Sequence, residues 1–375
     1  MLDSLTTKTA RWGDRRKIRM FFLVRGLHMD WPLLIALVVL SGVGLAILYS
    51  ASGQNIDVIW RQAVRLFVAF TAMFLLAQLP PHHLERWSPW LFTVGLLLLT
   101  AVLVIGEIGK GAQRWLDLGL FRFQPSEIMK IAVPLMVAWY LADRTLPPTP
   151  RHIVAGVLLT LIPTLMIAKQ PDLGTSLLIF SSGAFVLLFA GISWRLVFSL
   201  IVLVIPVGWL LWEFGMHDYQ RMRVLTFLNP ENDPLGTGYH IIQSKIAIGS
   251  GGVYGKGWLN GTQSHLEFLP ERSTDFIFAV FSEEFGLIGV IFLLALYLFI
   301  VFRGLYIATQ AQDTFTRLVA GSLVLTFFVY VAVNIGMVIG VLPVVGLPLP
   351  LVSYGGTSMV TLMAAFGILM SIHTH

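Results

Sequence analysis

The chain has 375 residues, 56% of them hydrophobic and only 12% charged. Apolar runs of about 20 residues recur along it, which excludes a soluble globular protein and points to a polytopic membrane protein. Zero cysteines exclude disulfides, thiol catalysis and Cys-ligated metal sites. The net charge of +5 is not a nucleic-acid footprint, because much of it is gathered ahead of the first apolar run.

That basic cluster is Lys8, Arg11, Arg15, Arg16, Lys17, Arg19 and Arg25. By the positive-inside rule it marks residues 1–30 as a cytoplasmic N-terminal segment. The apolar run behind it is too long for the core of a cleaved signal peptide, so an uncleaved anchor is expected. Residues 31–375 then read as a single polytopic membrane domain. The spacing of apolar runs predicts an all-α integral membrane protein of about ten transmembrane helices. They are expected near 31–49, 62–79, 89–105, 126–142, 152–168, 174–190, 195–213, 277–302, 317–339 and 357–373. An even number returns the C-terminus to the cytoplasm, and Arg86, Arg144, Arg151, Arg195, Arg303 and Arg317 fall on the inner side. The protein is therefore expected to be multi-pass, with both termini on the cytoplasmic side.

The outer side is also cationic. Lys110, Arg114, Arg122, Lys169, Arg221, Arg223, Lys245, Lys256 and Arg272 sit there, most of them in the short loop 106–125 or in the long loop 214–275 between helices 7 and 8. Too short and glycine-rich for a large core of its own, 214–275 is expected to be a structured loop over the outer face. Cations held beside the membrane suit an anionic headgroup or a diphosphate; pairing with loop carboxylates is the plainer alternative.

In chain order, GAQRWLDLGLFRFQPSEIMK (111–130) sets Arg114 and Arg122 around a hairpin-like turn. Gln124-Pro125-Ser126 then open a helix with Glu127 and Lys130 on one face. Lys130 lies one turn into the membrane, where charge is a functional hypothesis by default. AKQPDLGTS (168–176) puts Lys169, Gln170 and Asp172 at an outer junction of two spans. IGSGGVYGKGW (248–258) fails as a phosphate loop, because Lys256 is followed by Gly257 where Ser or Thr is needed. A tightly turned or flexible loop is expected instead. The histidines show no ligand spacing for a metal, and only His240 invites a test. Asp275 stands at the threshold of a span that carries Glu283 and Glu284 two turns further in. PVVGLPLPLVSYGGTS (343–358), which includes Ser353, is a re-entrant-looking segment; such backbone survives at membrane depth only if protein-packed or lining a wet cavity.

Taken together and in order, GAQRWLDLG, RFQPSEIMKIAVPLMVA, QPDLGTS, DYQRMRV, DPLGTGYHIIQSKIAIGSGG, GKGWLNGTQS, LEFLPERSTDFIFAVFSEEFG, NIGMVIGVLPVVGLPLPLVSYGG and FGILMSIHTH resemble the SEDS family. The resemblance runs from Trp31 onward and is closer to the rod-shape than to the division members. It implies a ten-span peptidoglycan glycosyltransferase that polymerises lipid II on the outer face during cell elongation. It further implies a class B penicillin-binding protein as crosslinking partner, with rod-complex elongation proteins as associates. Within the family the aspartate matching Asp275 is required for activity.

The implied reaction joins an acceptor sugar hydroxyl to the anomeric carbon of a lipid diphosphate with inversion. It asks for one carboxylate base, Asp275, and for cations that stabilise the departing diphosphate. Arg114, Lys130, Arg221 and Arg223 are candidates for that task, with Gln124, Asp172, His240, Lys245 and Ser353 as further substrate-binding candidates. Glu127 and Glu283 are candidates for support. No cofactor and no metal ligand is assigned, although a divalent cation bridging the diphosphate fits the chemistry. Eight residues of helix rise about 12 Å, so Glu283 and Glu284 cannot share a bond with Asp275 unless the helix is broken. A structural acid holding Lys130 is one reading of them. A lipid-linked precursor flippase or a secondary transporter would also show ten helices and intramembrane charge. Such proteins gather their sites at the midplane, whereas the polar residues here cluster toward the outer side.

Overall fold

The computed structural model describes residues 28–375, except 110–111, 118–121, 216–220, 222–224, 227–228, 230–236 and 263–270. The basic N-terminal cluster and Arg223 lie outside the described residues. Helices α1 (Trp31–Ala51), α2 (Ile56–Ala77), α3 (Pro81–Ile105), α4 (Pro125–Ala142), α5 (Pro150–Lys169), α6 (Leu173–Phe189), α7 (Trp194–Leu210), α9 (Ile277–Gln310), α10 (Thr314–Val338) and α11 (Thr357–Thr374) fall on the expected spans. Another helix, α8 (Thr237–Gly251), lies within the long loop, and a π-helical turn covers Leu211–Gly215. Helices α1, α2, α3, α5, α9, α10 and α11 are long and apolar enough to cross a membrane; α6 is apolar but has 17 residues. The fold is all-α apart from a feature the expectation lacked. Strands β1 (Glu107–Gly109), β2 (Ala112–Asp117) and β3 (Arg122–Phe123) form a small antiparallel sheet in order β1-β2-β3 between α3 and α4. The hairpin-like turn between Arg114 and Arg122 is its β2–β3 pair, in which Asp117 faces Arg122.

Local chemistry sets the helix starts. Asp30 caps α1 through Leu33 N–H at 2.9 Å. Asn55 caps α2 by accepting from Asp57 and Val58, and Asp172 caps α6 by accepting from Thr175 N–H at 3.2 Å. Each satisfies amides that the helix itself leaves orphaned. Proline occupies the first turn of α1, α3, α4 and α5, where its missing N–H costs nothing. Helix α4 is central, packed against α3, α5, α6, α10 and α11. Exposed Trp60, Phe67, Trp90 and Phe302 belong to an outer surface suited to lipid rather than water.

The apolar run of α9 is not one straight helix. Gly286 sits at φ 62°, ψ −163°, breaking it immediately after Glu283 and Glu284. The turn that follows α8 fills the gap. Lys256 N–H donates to Glu283 O and Gly257 N–H to Glu284 O, both at 3.0 Å; Leu287 N–H donates to Gly252 O at 3.0 Å and Ile288 N–H to Val253 O at 3.2 Å. The glycine-rich stretch is thus a tight turn, with Gly252, Gly255 and Gly257 all at positive φ. It repairs a break that would otherwise leave four backbone groups unsatisfied. A side chain on Gly286 would run into Gly255 N at 2.3 Å and Val253 O at 2.7 Å.

At the opposite end of the bundle, buried Asp30 receives Arg303 through Nε at 3.1 Å and Nη2 at 2.6 Å. His373 Nδ1 lies 3.0 Å from the same carboxylate. This clasp joins the start of α1 to the ends of α9 and α11. Burial pushes the Asp30 carboxyl up, but hydrogen bonds from His373, Arg303 and the Leu33 amide outweigh it and hold the group well below the usual carboxylate range.

Two outcomes are expected. Gly286→Ala forces a side chain into a conformation only glycine adopts readily and into backbone, so the detergent-solubilised protein should lose about 2 kcal/mol or more of stability. An unchanged melting midpoint would contradict the interlock. For Asp30 the folded pKa lies below the unfolded value of about 4. Its contribution is therefore fully present above the unfolded value and lost as pH falls from there through the lower folded pKa. The stability difference between wild type and Asp30→Asn should be constant from pH 7 down to about 5 and shrink progressively as pH falls below about 4.

Candidate active site

Asp275 closes the turn that enters α9. Thr274 N–H and Phe276 N–H both donate to Glu271 O, at 3.0 and 3.4 Å, which shapes the turn. The rest of its support comes from far along the chain. Asn334 of α10, fully buried, donates through Nδ2 to Asp275 O at 3.0 Å and to Leu347 O at 2.6 Å. Ser353 Oγ donates to Thr274 O at 2.5 Å and accepts from Leu349 N–H at 2.7 Å. Tyr354 N–H donates to Ser273 O at 2.8 Å. The re-entrant segment 347–354 is thereby stitched along the turn that presents the half-buried Asp275 carboxylate. The segment itself is held by Tyr297 Oη, which donates to Pro350 O at 2.7 Å, and by Gln62 Nε2, which donates to Ser353 O at 3.2 Å. It passes close over α1, where a side chain on Gly44 would meet Leu351 O at 2.5 Å. Asp275 Oδ2 lies by Gly346, 3.7 Å from where a β-carbon there would be. The His240 ring stacks on Phe276, with centroids 5.7 Å apart.

A second group gathers at the starts of α4 and α6. Arg114 of β2 reaches over to donate to Pro171 O and lies 3.8 Å from Asp172 Oδ2. Gln124 Nε2 donates to that same Oδ2 at 3.1 Å. Lys130 pairs with Glu127 at 2.8 Å. Its ammonium also stands 5.3 Å from the centroid of the Tyr330 ring. Lys130 feels the charges of Glu127 and Asp172, and Tyr330 those of Lys130, Glu127 and Asp275. Asp172, Lys130, Tyr330 and Asp275 therefore form one electrostatic neighbourhood. Below it opens a cleft whose walls are mostly apolar, among them Leu178, Phe327, Leu362 and Phe366, with Lys130, Thr326, Tyr330, Ser358 and Thr361 as its polar residues. An apolar trough with a cation beside it suits a lipid carrying an anionic head.

Several expectations are revised by this geometry. Ser353 is 3% exposed and spends its hydroxyl on backbone, so it holds the Asp275 turn rather than a substrate. Glu283 does not hold Lys130. It receives Lys256 Nζ at 2.7 Å and Thr262 Oγ1 at 3.0 Å, while Glu284 receives Ser50 Oγ. Both carboxylates are buried at the break in α9, and the break explains how a pair two turns from Asp275 finds partners outside its own helix. Arg221 turns back to donate to Glu213 O at 2.9 Å, apart from the Lys130 group. Lys245 is exposed on α8 and lays its chain over Gly340 at the end of α10. Among the described residues no three His, Asp or Glu side chains gather to hold a metal ion. Tyr330 and Asn334 were not anticipated. A lone amide in the apolar run VAVNIGMV was the available signal for Asn334; Tyr330 reads from sequence as one more core aromatic.

Comparison with known proteins agrees with this architecture. The chain is 57% identical over 348 residues to the peptidoglycan glycosyltransferase MrdB of Escherichia coli K12, covering 93% of this chain and 94% of that protein. It is 33% identical to the peptidoglycan glycosyltransferase RodA of Treponema pallidum, covering 93% and 99%. Among solved structures, a chain from a study of the structural coordination of polymerization and crosslinking by a peptidoglycan synthase complex superposes with TM-score 0.81. It shares 35% identity, and the match covers 92% of this chain and 97% of that one. The rod shape determining protein RodA of Thermus thermophilus superposes with TM-score 0.70 at 29% identity, covering 92% and 96%. The pattern of the FtsW/RodA/SpoVE family, described as cell cycle protein, matches residues 25–375, and the chain belongs to that family.

Proposed function

We infer that the reaction runs through Asp275. The chain is a peptidoglycan glycosyltransferase, the activity named for relatives that it matches over nearly their whole length. Lipid II is the substrate that the trough and its cation fit. Its polyprenyl chain suits the apolar cavity under Tyr330, and its diphosphate suits Lys130, with Arg114 beside it. The Asp275 carboxylate takes the proton from the C4 hydroxyl of the acceptor sugar. That oxygen attacks the anomeric carbon of the donor, and the bond from that carbon to the diphosphate oxygen breaks with its electron pair. Lys130 and Arg114 stabilise the charge that builds on the leaving diphosphate. One displacement turns an α-linked diphosphate into a β-glycosidic bond, so no second carboxylate is needed as nucleophile. The observation that carries this reading is the pinning of Asp275 by Asn334 and Ser353 in the same electrostatic neighbourhood as Lys130. A base must be held still to act on one hydroxyl.

The same reading places the Asp275 end of the bundle on the outer face of the cytoplasmic membrane, with both termini inside. Residues 214–275 then form a loop over that face. It also supplies a partner, a class B penicillin-binding protein that crosslinks the glycan, as the solved complex of polymerization with crosslinking suggests for its own chains. Rod-complex elongation proteins would be further associates.

With purified protein and fluorescent lipid II, Asp275→Ala should yield no glycan polymer. Asp275→Asn should lose about 10²–10⁴ in turnover. Polymer made by either variant at the wild-type rate would remove Asp275 from the mechanism. Asn334→Ala frees the turn without touching substrate. It should lower kcat by about tenfold or more while leaving KM within about threefold; a rise in KM at unchanged kcat would speak against positioning.

A further inference from the structure

Tyr330 of α10 stands between the two groups of the site, and the reaction as drawn gives it no task. Its ring packs with Leu178 of α6, with Val333 and with Leu347 in a small buried cluster apart from the main core. Its hydroxyl meets that of Ser358 in the first turn of α11. Over the ring, 5.3 Å from its centroid, stands the ammonium of Lys130, which comes from α4. The same side chain lines both the apolar cleft and the smaller cavity under residues 348–355. One turn further along α10, on the same face, Asn334 holds the carbonyls of Asp275 and Leu347. A single helix face therefore touches the cation at one point and the backbone of the base at the next.

A lysine needs such a neighbour more than an arginine would. Its ammonium is a point charge on a flexible four-carbon stem, with no rigid plane to orient it. Glu127 pairs with it at 2.8 Å from three residues earlier on the same helix. That contact alone holds the ammonium against α4 and leaves its reach into the cleft unset. The Tyr330 ring supplies a second point, from the opposite wall. A cation is drawn to the electron-rich face of an aromatic ring, and more strongly where water is excluded. The ring is itself fixed, by Ser358 at its hydroxyl and by Leu178 and Leu347 around it.

We propose that Tyr330 is a positioning residue for the glycosyl transfer: its ring holds the Lys130 ammonium at the mouth of the cleft, while Asn334 one turn away holds the Asp275 turn. Helix α10 thereby sets the placement of the cation relative to the base. The assignment rests on the polymerase reading above, in which Lys130 stabilises the leaving diphosphate, and deepens it. Charge builds on that diphosphate in the transition state, so loss of the ring is felt in kcat rather than in KM.

The test changes the ring's charge distribution while keeping its shape. Phenylalanine carrying none, one, two or three fluorines is placed at position 330 of the full-length protein, and polymerisation of fluorescent lipid II is followed. Fluorine draws electron density from the ring face and weakens its hold on a cation. Tyr330→Phe should keep kcat within about threefold of wild type. From there kcat should fall with each fluorine, by about tenfold across the series, with KM within about threefold. Tyr330→Leu, which has no ring, should lose at least as much as the most fluorinated ring. A residue that only fills the core would respond to leucine and not to fluorine, so a flat fluorine series overturns the proposal. So does a loss confined to KM, or a Tyr330→Phe loss larger than the whole fluorine effect, which would place the role in the hydroxyl. The fluorinated rings keep the shape of phenylalanine, so the series decides the matter even where Tyr330→Leu fails to fold. Lys130→Ala separates the proposal from the reading beneath it. Wild-type polymerisation by Lys130→Ala would defeat that reading itself, whereas an impaired Lys130→Ala beside a flat fluorine series would defeat the role of Tyr330 alone.

Discussion

Hydrocarbon offers no water to a backbone that leaves its helix, and the whole site depends on how the chain answers that constraint. The answer is reciprocal pairing of irregular segments. The turn after α8 and the break in α9 exchange hydrogen bonds in both directions, so that neither could persist without the other. Segment 347–354 likewise has its carbonyls taken by Asn334, Tyr297 and Gln62 and its serine spent on the Asp275 turn. Non-helical backbone is what allows a carboxylate to be aimed sideways from the end of a span. Its stabilisation by protein groups alone is what keeps it aimed.

Charge within the bundle follows the same economy. Lys130 has Glu127, Glu283 has Lys256, and Asp30 has Arg303. Removing one member of such a buried pair typically costs about 3–5 kcal/mol, because the other is left unpaired in low dielectric. Paired groups are therefore part of the fold whether or not they meet substrate. The carboxylate partner of Lys130 lies within its own helix, which leaves the ammonium beside the cavity under Tyr330. Arg65 differs in having an aromatic ring, Tyr354, as its neighbour in place of an acid.

Much of this was legible in the sequence, and the parts that were not share a cause. Apolar runs place helices by length alone, so α1–α7 and α9–α11 could be read directly. The proximity of Lys130, Arg114 and Asp172 followed from their common position at the ends of spans. Hydropathy is blind to a break within an apolar run, so α9 read as one span and Glu283 was offered the wrong lysine. It is equally blind to which loop returns to which helix, so Ser353 looked like a ligand rather than a strut. Two strands of the β1–β3 sheet, β1 and β3, are shorter than any periodicity can register, and β2 has only six residues.

The stitching of Asp275 also bears on how the protein is made. Ribosomes deliver the chain from its N-terminus, and elements pair as they emerge. The lock between the α8 turn and α9 joins residues some thirty apart and can close as soon as both are inserted. The partners of the Asp275 turn arrive much later: Asn334 near the end of α10, then Leu347 and Ser353 just ahead of α11. Until the last span is threaded, a nascent chain has Asp275 and Lys130 but neither the segment that pins the Asp275 turn nor the α11 wall of the cavity. The Asp275 turn and the cavity beside it therefore take their final form only once α11 is in place.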